Sequence, residues 1–295
     1  MRPYRSMLFV PGNKPSWMEK AIQFGPDAVI LDLEDSVPDD EKVSSRRQVK
    51  EGVRILKSKG QPCYVRINGL ATGLTFDDLE GVVSPELNGV SLPKVESVDD
   101  IKVLDAYIEC LERRINIPVG TVEIQLVLET AKAMRNTYEI AISCPRIHGI
   151  CLAAGPGGDA NRAIGYVWSK EGKETLFLRS KAVLDSRAAG IQYPMIISWL
   201  NIRDLDGLEK DALLNRQLGF KGQVVIHPSH VSVVNKIFTP SVEEITYCKG
   251  LIDAVDEAET KGSGAVVYKG NMVDRAMVTT ALEMLEFARS IGLTE

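Results

Sequence analysis

Val122-Glu123-Ile124-Gln125-Leu126-Val127-Leu128 runs directly into Glu129-Thr130-Ala131, and Ile147-His148-Gly149-Ile150-Cys151-Leu152-Ala153-Ala154 runs into Gly155-Pro156-Gly157-Gly158-Asp159. Each is a short apolar run bounded by turn residues, the pattern of a buried strand. Each also leads to an acid. A carboxylate at the C-terminal mouth of a buried strand is costly to desolvate unless a proton or cation offsets it, so it points to chemistry. Two of them on successive strands can hold one hard divalent cation, with waters and substrate oxygens in the other positions.

Six further apolar runs lie at 7–10, 28–33, 63–67, 89–92, 191–198 and 223–227, giving eight with 122–128 and 147–154. Helix-length segments separate them, at 14–24, 41–58, 99–113, 130–142, 174–189 and 205–218. Strands alternating with helices imply βαβ units and a parallel sheet. Eight such units predict an α/β fold of the (β/α)8 TIM-barrel type, with its active site at the C-terminal strand ends. The rival is an open doubly wound sheet. Its dinucleotide-binding version lacks the G-x-G-x-x-G that should follow the first strand.

The barrel accounts for 1–240 as a catalytic domain, and 241–295 has no place in the ring. This tail has apolar residues at helical spacing (Val242, Ile245, Leu251, Ile252, Val255), then Gly262-Ser263-Gly264-Ala265-Val266-Val267-Tyr268-Lys269-Gly270. A second helical pattern follows, with Met272, Val273, Ala276, Met277, Ala281, Met284, Leu285 and Ala288 on one face. The Gly-bounded segment reads as a hinge. Two placements stay open: a helical arm or lid that reaches a neighbouring subunit, or packing across the barrel bottom.

Composition excludes several classes. The 295 residues are 44% hydrophobic and 25% charged, with a net charge of −5 and no basic tract, so nucleic acid is not an expected partner. No apolar stretch approaches the roughly 20 residues needed to cross a bilayer, and the N-terminus lacks the apolar core of a signal peptide. Five scattered cysteines without a C-x-x-C read as reduced thiols, which predicts a cytoplasmic location. There is no G-x-S-x-G nucleophile elbow and no P-loop.

Polar residues recur where the runs end: Asp32-Leu33-Glu34-Asp35-Ser36, Arg66-Ile67-Asn68-Gly69, Pro93-Lys94-Val95-Glu96, Glu129, Asp159 and His227-Pro228. Singly, each has a structural reading: Asp35 or Ser36 as a turn or cap residue, Lys94 and Glu96 as a solvated pair, His227 as a core histidine. In a barrel they converge on one mouth. The combination predicts a metal-plus-arginine site, with Mg2+ on Glu129 and Asp159 and with Arg66 facing a carboxylate or developing enolate. Asp32, Asp35, Asn68 and Lys94 are candidate substrate contacts beside Arg66. Schiff-base chemistry at Lys94 is disfavoured because Glu96, two residues along the same face, would hold the amine charged.

These segments resemble the citrate lyase β subunit and the related malyl-CoA, citramalyl-CoA and β-methylmalyl-CoA lyases of the HpcH/HpaI aldolase superfamily. The resemblance lies in Arg5-Ser6-Met7-Leu8-Phe9-Val10-Pro11-Gly12, Leu31-Asp32-Leu33-Glu34-Asp35-Ser36-Val37, Val65-Arg66-Ile67-Asn68, Leu92-Pro93-Lys94-Val95-Glu96-Ser97, Leu128-Glu129-Thr130-Ala131, Gly219-Phe220-Lys221-Gly222, Ile226-His227-Pro228-Ser229 and Gly270-Asn271-Met272-Val273-Asp274. It implies a TIM-type barrel assembled as a homotrimer or hexamer. It also implies Mg2+ on Glu129 and Asp159, Arg66 on the oxo-acid part of the substrate, and Asp274 entering a neighbour's active site as acid/base. In the mechanism expected here Glu34 or Asp35 orders metal-bound water rather than transferring the proton. The implied reaction is retro-Claisen cleavage of a citramalyl-, malyl- or citryl-CoA or acyl-carrier-protein thioester into an acetyl thioester and a 2-oxo acid. The alternatives are a malyl-CoA thioesterase-like hydrolase and a non-autonomous β subunit of a citrate lyase complex. The chain departs from the pattern at Gly155-Pro156-Gly157-Gly158-Asp159, where the family usually reads Gly-Ala-Glu-Asp. It also lacks the acid that often follows Gly190-Ile191-Gln192.

Overall fold

The computed structural model describes residues 3–293. Eight parallel strands close into a barrel in sequence order: β1 (Ser6–Pro11), β2 (Ala28–Asp32), β3 (Cys63–Arg66), β4 (Gly89–Leu92), β5 (Glu123–Leu128), β6 (Ile147–Ala153), β7 (Met195–Ile197) and β8 (Gly222–Val225). The ring shuts where β8 pairs with β1, Gln223 opposite Ser6 and Val225 opposite Leu8. The (β/α)8 expectation is met.

Strand alternation sorts side chains into two cores. Leu8, Val10, Val29, Leu31, Cys63 and Val65 point outward into the main core beneath the helices. Their alternates Met7, Ala28, Ile30, Tyr64, Cys151, Met195 and Val224 fill the barrel interior, with Phe9 and Ile197 above them. Both strand faces are therefore buried, which is why these runs are mostly apolar, and the buried Ser91 hydroxyl inside them donates to Gln125 Oε1 at 3.1 Å. The same alternation places Asp32 above Ile30 and Arg66 above Tyr64. The two stand register-paired on adjacent strands.

Most boundaries shift by a residue or two, and three elements differ more from the sequence reading. The run 191–198 yields only Met195–Ile197, because Pro194 has no N–H to give the ladder. The segment 130–142 forms two short helices, Ala131–Arg135 and Thr137–Ala141, broken at Asn136. The first helix covers Pro15–Lys20 and then tightens into a 3-10 turn over Ala21–Phe24.

The chain divides into two compact units, one spanning Pro3–Phe238 and the other beginning at Thr239. The second holds a helix, Val242–Thr260, an antiparallel hairpin of β9 (Ala265–Tyr268) and β10 (Asn271–Asp274), and a helix, Arg275–Ser290. Its own core gathers Cys248, Leu251, Val255, Val273, Val278, Ala281 and Leu285. The Gly-bounded segment thus forms part of a hairpin. Lys269 and Gly270 both adopt left-handed backbone at its turn, φ 45° and 85°, the twist that a tight hairpin needs. Met272 and Val273 belong to β10, and the last helix starts only at Arg275. No helix among the described residues is long and apolar enough to cross a membrane.

Barrel closure depends on a close approach at Gly222. A Cβ there would stand 2.0 Å from the Tyr4 carbonyl oxygen and 2.8 Å from that of Arg5. Gly222→Ala should destabilise the protein by about 1–3 kcal/mol, seen as a lower midpoint of urea unfolding. An unchanged midpoint would show that the β8–β1 junction yields without cost.

Candidate active site

The C-terminal strand ends enclose a cleft of about 470 Å³, lined by Asp32, Asp35, Ser36, Arg66, Glu129 and Asp159 on its polar side and by Phe9, Ile197, Leu200 and Ile226 among its apolar residues. Arg66 is its anchor. Its Nε and Nη2 donate to the two oxygens of Asp32, both at 2.6 Å, and Nη1 lies 2.8 Å from Glu34 Oε2. The guanidinium also sits 4.8 Å above the Phe9 ring. Asp32 is itself held by the Glu34 N–H at 2.9 Å and by the Ser36 N–H and hydroxyl at 3.1 and 2.5 Å. Burial would raise the Asp32 carboxyl, but the charge and hydrogen bonds of Arg66 outweigh it and hold the group below the usual carboxylate range.

Lys94 joins the two sides of the cleft. Its backbone has φ 53°, and its N–H donates to Glu129 Oε1 at 3.0 Å. Its ammonium contacts Glu34, and lies 3.4 Å from Asp35 and 3.2 Å from Asp159. Burial opposes its charge, yet the hydrogen bond and charge of Glu34 prevail, so it stays protonated. Arg162 ion-pairs with the other oxygen of Asp159.

Most of the residues singled out in the sequence meet here, with different duties in several cases. Glu34 is 4% exposed and lies between Arg66 and Lys94. Burial raises its carboxyl despite Arg66. Asn68 does not line the cleft. It is 2% exposed, and its side-chain amide donates to the Leu33 carbonyl at 3.0 Å and to Asp78 at 2.6 Å. Its role is to tie loop ends together beneath the mouth. Glu96 pairs with Lys132 at 2.7 Å rather than with Lys94. His227 Nδ1 meets the Ser229 hydroxyl at 2.8 Å. Asp274 belongs to the second unit, where it caps the last helix by accepting from the N–H groups of Ala276 and Met277. Sequence reading missed Arg162, Phe9 and Leu200. Arg162 carried a signal, because it lies three residues after Asp159 and so on the same helical face.

Among the described residues no group of three or more His, Cys, Asp or Glu side chains stands ready to hold a metal ion. Mg2+ does not require one, because it binds through one or two carboxylates and keeps waters and substrate oxygens as its other ligands. Glu129 and Asp159 face the same cleft, and all-oxygen donors suit a hard cation. Around them Asp32, Glu34 and Asp35 add negative charge that Arg66 and Lys94 only partly offset. The donor set therefore fits a divalent cation.

Comparison with known proteins shows the family to which the chain belongs. The profile of the family described as HpcH/HpaI aldolase/citrate lyase matches residues 5–228. The chain is 34% identical to the citrate lyase subunit beta of Leuconostoc mesenteroides subsp. cremoris, across 99% of this chain and 95% of that protein. It is 30% identical to the L-malyl-CoA/beta-methylmalyl-CoA lyase of Cereibacter sphaeroides, across 99% and 96%. The solved structure of protein CitE from Mycobacterium tuberculosis, in complex with magnesium, acetoacetate and coenzyme A, matches with a TM-score of 0.73 and 27% identity over 97% of this chain and 98% of that one.

Glu129 gives the site a pH signature. Burial, and then the charge of Glu34, push its carboxyl up to about 7. A carboxyl raised in the folded state stabilises the fold when protonated, and that contribution is lost as pH rises through about 7. In metal-free protein, Glu129→Gln should be more stable than wild type at about pH 8, by roughly 3 kcal/mol. The gap should close as pH falls from 7 toward 4.5. Urea unfolding in a chelator at both ends of this range checks it, and a gap independent of pH would refute the assignment.

Proposed function

Because the chain belongs to the HpcH/HpaI aldolase/citrate lyase family, we propose that it is a carbon–carbon lyase that cleaves a 3-hydroxy-3-carboxyalkyl thioester into an acetyl thioester and a 2-oxo acid. The observation that carries this reading is the convergence of Glu129, Asp159 and Arg66 on one cleft. Glu129 and Asp159 would hold Mg2+, which when bound acts as a Lewis acid toward substrate oxygens. Arg66 has five N–H groups, and its ties to Asp32 and Glu34 leave donors for a substrate carboxylate or an enolate oxygen. Held on both sides, the guanidinium is positioned before negative charge develops, so little reorganisation accompanies the reaction.

The chemistry begins with loss of the hydroxyl proton. In this reading Asp274 of a neighbouring copy accepts it within a homotrimer or hexamer. The carbinol C–O bond becomes the carbonyl of the 2-oxo acid as the adjacent C–C bond breaks. The released electron pair passes to the thioester as an enolate, whose oxygen Arg66 faces. The proton held by Asp274 then passes to the enolate carbon and gives the acetyl thioester. Glu34 acts as a positioning residue that keeps Arg66 and Lys94 in register.

The decisive experiment presents citramalyl-, malyl- and citryl-CoA to the purified chain with Mg2+ and identifies products by mass spectrometry. The expected products are acetyl-CoA plus pyruvate, glyoxylate or oxaloacetate, respectively. Free CoA with an intact hydroxy diacid would instead establish a thioesterase, and activity confined to an acyl-carrier-protein thioester would establish a citrate lyase β subunit. Glu129→Gln should abolish turnover without loss of fold. Arg66→Lys should fall nearly as far as Arg66→Ala, by on the order of 10²–10³ in kcat, because the planar fork is lost while the charge is kept. Near-normal turnover of Arg66→Lys would show that charge alone suffices.

The arm is tested separately. Asp274→Asn should lose catalysis while still binding substrate. Mixed with Arg66→Ala, it should regain partial activity once subunit exchange is confirmed by mass spectrometry of the oligomer. Exchange without recovery would place Asp274 in the service of its own barrel or of packing alone.

A further inference from the structure

We propose that Lys94 and Arg162 are internal cations that compete with the divalent metal for Asp159, so that the substrate-free protein holds the metal weakly. The inference rests on the assignment of Glu129 and Asp159 as the metal-holding pair. The geometry behind it is that the two oxygens of Asp159 are each already engaged by a positive side chain. Lys94 Nζ lies 3.2 Å from Oδ2, and Arg162 ion-pairs with Oδ1. Lys94 also binds the other member of the pair, since its backbone N–H donates to Glu129 Oε1 at 3.0 Å. One residue thus touches both carboxylates, with its main chain on one and its side chain on the other. Its left-handed backbone, φ 53°, sets that reach.

A metal ion that takes an oxygen of Asp159 must displace one of these contacts. Both cations have somewhere to go. The Lys94 ammonium keeps Glu34 and Asp35, the latter at 3.4 Å. The Arg162 side chain is 82% exposed and can turn to solvent. Displacement therefore breaks few bonds, but it leaves like charges close to the metal, and that repulsion weakens binding. A substrate that brings its own carboxylate adds negative charge at the same place. Binding of metal and of acid should then reinforce each other, and linkage makes the effect reciprocal.

The test is calorimetric titration of MgCl2 into the metal-stripped full chain without substrate, so it does not depend on activity. Lys94→Asn removes the charge while suiting a left-handed backbone, a conformation that asparagine tolerates. Arg162→Gln removes the second competitor from an exposed position where folding is not at stake. Each should tighten Mg2+ binding, Lys94→Asn by at least about fivefold. Each should also enlarge the rise in melting temperature that Mg2+ produces. Lys94→Arg should stay within about twofold of wild type. Unchanged or weaker binding in Arg162→Gln and in a folded Lys94→Asn would overturn the competition. Glu129→Gln separates the two levels of the reading. If it binds Mg2+ as wild type does, or if no variant binds Mg2+ at all, the metal assignment itself fails.

Discussion

Asp32 and Arg66 stand opposite each other in register on β2 and β3, and their two-pronged pair fixes the rest of the mouth. The pair is buried on the Asp32 side, and the Arg66 side chain is 13% exposed. Removal of one partner from such a pair leaves a buried charge uncompensated, a loss of roughly 3–5 kcal/mol. Asp32 therefore serves as the fixture that holds Arg66, and its own oxygens are fully occupied by Arg66, Glu34 and Ser36. Glu34 leans on the same guanidinium and passes the constraint to Lys94, and Lys94 passes it to Glu129 and Asp159. A single register pairing thus organises contacts across five strand ends.

The barrel supplies this geometry through alternation. Inward positions on β2 read Ala28, Ile30, Asp32, and on β3 Tyr64, Arg66, so apolar side chains fill the lower interior and charged ones crown it. Outward positions are mostly apolar because helices cover them, and the polar ones are hydrogen-bonded: Ser6 donates to Asn235 and Gln223 to Ser198. At the lower end of the interior Glu123, the first residue of β5, is held by the Tyr64 hydroxyl. At the mouth a charged side chain meets opposite charges, backbone N–H groups and the open cleft.

Much of this was legible in the sequence because burial on both strand faces leaves a continuous apolar run, and each run stops at the residue that faces the mouth. That signal marked Asp32, Arg66, Lys94, Glu129 and Asp159 together. It could not assign partners. Lys94 was paired with Glu96 by same-face spacing, but the loop after β4 turns through left-handed backbone and carries the ammonium to Glu34. Asn68 has the chemistry of a substrate contact, and only its burial against Asp78 shows that its donors are spent. The tail was misread because Met272 and Val273 fit the helical spacing of the following segment as well as the alternation of a strand. The turn at Lys269–Gly270 decides between them, since two successive left-handed residues favour a hairpin turn leading into a strand over the start of a helix.

The same electrostatics connect metal, proton and substrate under the proposed reading. Carboxylates outnumber basic groups at the mouth, and the deeply placed Glu129 feels both burial and the charge of Glu34. Such a site repels an anionic thioester on its own. It has three ways to lower that potential: a proton on Glu129, a divalent cation on Glu129 and Asp159, or the approach of Lys94 and Arg162 to Asp159. The first and third keep the empty site stable, and neither offers an open coordination position to a hydroxy acid. Only the second converts the excess negative charge into a place where substrate oxygens gain by binding. The internal cations therefore make the resting site tolerable at the cost of metal affinity, and a substrate carboxylate restores that affinity as it arrives.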